Sequence, residues 1–250
     1  MLDGLKEALQ YVVGLGNSAE KTEVVEICGK TYANRSLHRY DSPEKAQPLK
    51  ANSLTALVDY IGCCYPEMKK HERMIIHVES PTRVRLISCL DAERSRETLF
   101  ETNAIVSEFQ FNQWYDQERF MIEMQANFQM TDDLNAILKF AGNVEKRNDQ
   151  TYSDNGTTQV ATMQVGVASK ADVIVPNPVE LIPFRTFQEV PQPSSKFVFR
   201  MGDKEVPAFK IVEAENGIWK NEAVQNIKNY LEARLGDMAE FISSNIIIIG

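Results

Sequence analysis

Histidine is scarce: the chain of 250 residues carries three. None of His38, His71 and His77 stands with a second histidine or a cysteine at a zinc-finger spacing, so no metal site is expected. The same shortage removes the usual base for a serine or cysteine nucleophile, and no G-x-S-x-G turn is present to expose a serine. A glycine-rich loop ending in lysine is missing, which takes away the commonest route to nucleotide hydrolysis. Gly14-Leu15-Gly16-Asn17-Ser18-Ala19 spells a dinucleotide fingerprint, but an amphipathic helix precedes it where a strand is needed, and the segment reads as a helix C-cap followed by a loop. Long apolar runs are also lacking. The longest, Ile246 to Ile249, falls far short of the roughly 20 residues a bilayer core demands, so no membrane partner is expected. The four cysteines, Cys28, Cys63, Cys64 and Cys89, include an adjacent pair in a chain large enough to fold without staples. That pattern argues against a disulfide framework and for a reducing compartment. The opening MLDGLKEALQYVVG has acidic residues where a leader needs basic ones, so no secretory signal is expected.

What is present is ordinary globular usage, with 43% hydrophobic and 25% charged residues, enough to close a core. The formal net charge of -8 repels a phosphate backbone at long range, so nucleic acid is expected to bind weakly. Charge is nevertheless uneven. Residues 69 to 96 hold Lys69, Lys70, Arg73, Arg83, Arg85, Arg94 and Arg96 against Glu72, Glu79, Asp91 and Glu93, a local net of +3 (7 minus 4), where a small anion could dock.

Periodicity predicts an α+β fold of mostly antiparallel sheets with about five amphipathic helices packed on them. Leu5, Leu9, Val12 and Val13 mark a first helix, with a stop at 14–18. Residues 23–35 read as two short strands about Gly29-Lys30, and 42–50 as a polar loop. Asn52 or Ser53 can cap a helix carrying Leu54, Leu57, Val58 and Ile61. Residues 74–78 and 84–90 form a hairpin through Ser80-Pro81-Thr82, which leaves His77 on an outer strand face. Asp116 stands at one helix start, and Thr131 or Asp132 at the next. Strands are predicted at 159–167, 171–175, 179–187, 197–201 and 209–212, then a helix from Ala223 to Leu235 closed by Gly236. The polar stretch 145–158 is the candidate seam between an α+β half, residues 1–144, and a β-rich half, 159–250, unless the whole is a single domain. The tail NIIIIG should pair in a sheet or be covered, and a neighbouring subunit is one such cover, so a homo-oligomer is expected.

Two arrangements carry chemistry. Arg83 and Arg85 flank Val84 in a predicted strand, so period-two geometry sets both guanidinium groups on one face while Val84 and Leu86 face the core; such a pair can clamp a phosphate. In VPNPVELIPFRTFQEVPQPSSKFVFR, Arg185 and Arg200 stand among Phe184, Phe187, Phe197 and Phe199. Arginine beside an aromatic such as Phe187 suits base stacking with phosphate contact. Asp116 with Glu118, and Glu67 with Lys69, sit at helix caps or in loops and read as capping or solvated residues.

The stretches HVESPTRVRLISCLD (77–91), FQFNQWYDQERFMIEMQANF (109–128), DNGTTQV (154–160), the proline-rich RTF segment (175–200) and IKNYLEARL (227–235) resemble the YfdQ-like family of tailed-phage and prophage proteins. The resemblance spans roughly residues 25 to 235. It supplies no catalytic residue and no cofactor, and implies a phage-encoded protein acting in the host cytoplasm. With no catalytic motif legible, the expected function is a non-enzymatic binding protein that sequesters a small anionic signalling nucleotide to counter host defence. The alternatives are an accessory of phage DNA replication or recombination, binding single-stranded DNA or a protein partner, and a metal-dependent nuclease or phosphodiesterase built on scattered carboxylates.

Overall fold

The computed structural model describes residues 2–20, 23–27, 30–33, 45–106, 108–144, 152–154, 158–165, 169–202 and 207–250. The chain divides into two units, residues 1–45 and residues 46–250. The first holds helix α1 (Leu2–Glu20) and the antiparallel strands β1 (Val24–Ile27) and β2 (Lys30–Ala33), with Val25 opposite Tyr32. Helix α1 runs through Gly14 and Gly16, where the sequence predicts a stop. A capping glycine needs the left-handed φ that only Gly217 adopts among the described glycines (77°), and these two stay helical. The fingerprint glycines are therefore helix interior rather than a phosphate-binding turn. The expected turn at Gly29 lies outside the described residues, as does His38.

The second unit begins with β3 (Leu49–Ala51), α2 (Leu54–Cys63) and α3 (Tyr65–Met68), followed by β4 (Met74–Ser80), β5 (Arg83–Ser88) and β6 (Thr98–Asn103). Strand β3 begins inside the stretch expected to be loop, 42–50, and ends one residue beyond it. Next come β7 (Tyr115–Asp116), α4 (Gln117–Asn127), α5 (Asp132–Asn143), β8 (Tyr152–Asp154), β9 (Thr158–Val165), β10 (Ser169–Pro176) and β11 (Val179–Leu181). The chain closes with β12 (Ser195–Met201), β13 (Ala208–Glu213), α6 (Trp219–Gly236), α7 (Glu240–Ser243) and β14 (Ile246–Ile249). The fold is α+β. A five-stranded sheet runs β14-β4-β5-β6-β3, with β14 parallel to β4 and β3 parallel to β6; the other sheets, β11-β12-β13-β7 and β10-β9-β8, are antiparallel.

The predicted caps are in place. Hydroxyls of Ser53 and Thr131 and the carboxylate of Asp116 accept from the amides of Ala56, Leu134 and Arg119, each satisfying a free N–H of a first helical turn. Strand β6 is hidden from period-two reading by its own irregularity. The register shifts where it pairs with Leu86 and Ile87, and the successive residues Leu99 and Phe100 both turn inward. The strand predicted over 179–187 ends at Leu181. Beyond it Pro183 has no N–H to offer, and 182–184 cross 127–129 through only two backbone bonds, Gln129 N–H to Ile182 O and Phe184 N–H to Asn127 O.

Two apolar clusters fill the second unit. One joins α2 (Leu57, Ile61), the inner faces of β4 and β5 (Ile76, Val84, Leu86) and α6 (Ile227, Leu231). The other joins α4 and α5 (Phe120, Phe140) to β12 and β13 (Phe197, Phe199, Phe209), with Phe199 and Phe209 stacked at 6.0 Å between centroids. Each fully buried side chain of this size contributes about 1.5–3 kcal/mol. The stretch 145–158, expected as a seam, lies mostly outside the described residues, and each cluster draws on residues before and after it. The tail NIIIIG pairs along β4 as an edge strand.

Candidate anion site

Strand β5 sets Val84 and Leu86 fully inside and turns Arg83 and Arg85 to the other face, as its alternation predicts. That face is not an open clamp. Arg83 Nη2 donates to Glu101 Oε1 at 2.7 Å, and Arg85 Nε lies 3.0 Å from Glu79 Oε2, which also sits 3.5 Å from Arg83 Nε. The two Nε contacts are ion pairs at poor hydrogen-bonding angles. A rung of directly opposed residues crosses all five strands, Ile249, His77, Arg85, Glu101 and Lys50. Glu101 accepts from the Asn103 amide and is then favoured by Arg83 against a contrary effect of burial, which together hold its carboxyl below the usual range. The guanidinium groups expected to grip a phosphate thus already grip carboxylates of neighbouring strands.

The segment RTFQEVPQP is a structural knot. The Gln192 side chain accepts from the amides of Arg185 and Thr186 and donates to the carbonyls of Phe187 and Val190. Thr186 donates its hydroxyl to Pro81 O, Glu189 accepts from the Thr55 amide at the start of α2, and Asn226 of α6 donates to Pro191 O. Arg185 is 8% exposed. Its guanidinium bonds Glu213 and Ser195, and its carbon lies 4.0 Å from the ring centre of Trp219 and 5.8 Å from that of Phe197. Burial lowers its hold on the proton, and Glu213 restores part of it. Phe187 is 1% exposed and belongs to the first apolar cluster, so it offers no face to a base. Arg200 does not join Arg185. Period two turns it to the side of β12 opposite Ser195 and Phe197, which hold Arg185.

Two cations of the basic island, Lys69 and Arg73, stand together elsewhere. Tyr65, Lys69, His71, Arg73 and Asn245 line a cavity of about 20 Å³, room for one water-sized group. Lys69 Nζ lies 5.6 Å from the Tyr65 ring centre, and Asn245 Nδ2 donates to the Tyr65 hydroxyl at 3.4 Å. Among the described residues, neither Lys69 nor Arg73 meets a carboxylate. His71 is positioned by Glu97, whose Oε2 lies 2.9 Å from Nε2. Glu97 is 7% exposed; burial pushes its carboxyl up, but the Ala46 amide at 2.6 Å, His71 and Lys70 outweigh that and hold it below the ordinary carboxylate range. It is therefore an anion that orients the histidine rather than a proton donor. Nearby, burial and the hydrogen bond to Glu67 raise the Tyr60 phenol above its usual value.

The charges at Lys69 and Arg73 are legible in sequence, but the approach of Asn245 is not. It arrives from 180 residues away because β14 docks beside β4, with Met74 N–H donating to Asn245 O. Among the described residues no three histidine, cysteine or carboxylate side chains converge as metal ligands, and no helix is long and apolar enough to cross a membrane. No family model, curated protein or solved structure matches the chain.

Proposed function

We propose that this chain is a non-catalytic binding protein that holds a small phosphate-bearing ligand, a signalling nucleotide being the class, at the mouth of the Tyr65–Asn245 cavity. The observation that carries the reading is that two exposed cations without a carboxylate partner among the described residues, Lys69 and Arg73, line the same small cavity as Tyr65 and Asn245. Those two charges suit a phosphate, which they draw in and can hydrogen-bond. The cavity is too small for a nucleotide, so the phosphate would be gripped at its mouth with the base left on the surface. Together with the resemblance to the phage family, this supports a phage-encoded protein that sequesters the nucleotide in the host cytoplasm.

Thermal shift and calorimetry with a panel of cyclic mono- and dinucleotides, with inorganic phosphate alongside, test it. The expected result is saturable stabilisation by at least one nucleotide. Lys69→Glu/Arg73→Glu should abolish it, while Arg83→Gln/Arg85→Gln should leave it intact. No stabilisation by any of them, or binding indifferent to the Lys69/Arg73 exchange, overturns the assignment.

A further inference from the structure

Helix α1 carries a row of apolar side chains that are more than half exposed among the described residues. Leu5 is 61% exposed, Leu9 58%, Val12 62%, Val13 59% and Leu15 52%. Leu5, Leu9, Val12 and Gly16 follow the alternating four-and-three spacing of a coiled-coil seam, and Val13 and Leu15 flank it. Among the described residues of the same unit is a two-stranded pair whose Val24, Val25 and Tyr32 are more than half exposed as well. A lone hairpin of that kind is marginal in water, so the helix face calls for a cover.

We infer that α1 pairs with α1 of a second copy of this chain, antiparallel, along the Leu5–Leu9–Val12–Gly16 seam. Area supports this occupant. At the exposures above, the five side chains offer about 500 Å² per copy, so a pair that covers the seam and its flanks buries up to about 1,000 Å², which reaches the lower limit for a specific interface. Charge argues against a lipid surface, because the helix carries Lys6 against Asp3, Glu7 and Glu20, a net of -2 (1 minus 3), whereas surface-bound helices are rich in lysine and arginine. Shape selects the direction. In a parallel pair Gly16 would face Gly16 and leave a void; in an antiparallel pair Leu9 meets Val12, and Leu5 lies over Gly16, where an added Cβ would meet nothing within 4 Å in the single chain. The inference is independent of the anion site.

Sedimentation equilibrium of the full chain over a micromolar concentration series tests it. The parent should be a concentration-dependent dimer. Leu9→Lys, which changes an exposed residue, should weaken the dimer at least tenfold without altering the thermal midpoint of a monomeric sample. Gly16→Leu improves helix propensity in the single chain but should also weaken the dimer tenfold, because it fills the space that Leu5 of the other copy takes. A parent that is monomeric throughout, that sediments with neutral vesicles instead of pairing, or whose dimer ignores Leu9→Lys overturns the pairing; a tighter dimer in Gly16→Leu overturns the antiparallel seam.

Discussion

The guanidinium carbon of Arg185 lies over the Trp219 ring, 4.0 Å from its centre, while its Nη1 donates to Glu213 at 3.1 Å. An arginine beside aromatics reads in sequence as a ligand platform, but here the aromatic and the anion both belong to the chain.

Arg185→Ala should therefore cost stability rather than binding. It leaves Glu213 without its cation and exposes one side of Trp219, but Glu213 is 27% exposed and can rehydrate. The expected loss is about 2–3 kcal/mol, below the full cost of breaking a buried pair. Arg185→Lys should recover only part, since an ammonium keeps the charge but not the planar stack. Urea midpoints measure this, and an unchanged midpoint in Arg185→Ala would refute the structural role.

Glu97 makes stability depend on pH. A carboxylate held below its ordinary value in the folded chain contributes stability above the unfolded value, and that contribution is lost as pH falls through the ordinary carboxylate range toward the depressed folded value. Glu97→Gln should lower stability at neutral pH by about 1–3 kcal/mol, since the Ala46 amide and His71 lose a charged acceptor. It should also flatten the decline of stability below about pH 5. Denaturant titrations of both proteins across that range provide the check, and parallel curves would contradict it.

The sheet face bearing Arg83 and Arg85 should become an anion site only when its own anions are removed. Glu79→Gln/Glu101→Gln releases both guanidinium groups at a cost within about 1 kcal/mol, because the pairs are partly exposed. Phosphate should then raise the melting temperature of the double variant more than that of the parent. Equal responses would show that the carboxylates do not occupy the arginines.

Local chemistry made much of this fold legible. Ser53, Asp116 and Thr131 cap the helices their positions predict, because a short polar side chain before an apolar stripe has one effective use for its oxygen. Strand β6 escaped because its register shift breaks the alternation on which strand reading rests. Gly14 and Gly16 looked like a stop although nothing forces either from helical φ. Of the candidate site residues, Arg83 and Arg85 take the face that period two dictates, but sequence could not show that Glu79 and Glu101 stand beside them.

By itself, the sequence determined which face of β5 carries Arg83 and Arg85 and where α2, α4 and α5 begin, since strand alternation and helix caps are set within a few residues along the chain. Only the tertiary structure decided which charges are consumed and which stay available. Glu213 reaches Arg185 across 28 residues and Asn245 reaches Tyr65 across 180. An ion pair forms wherever strand pairing brings opposite charges within a few ångströms, a distance unrelated to separation along the chain.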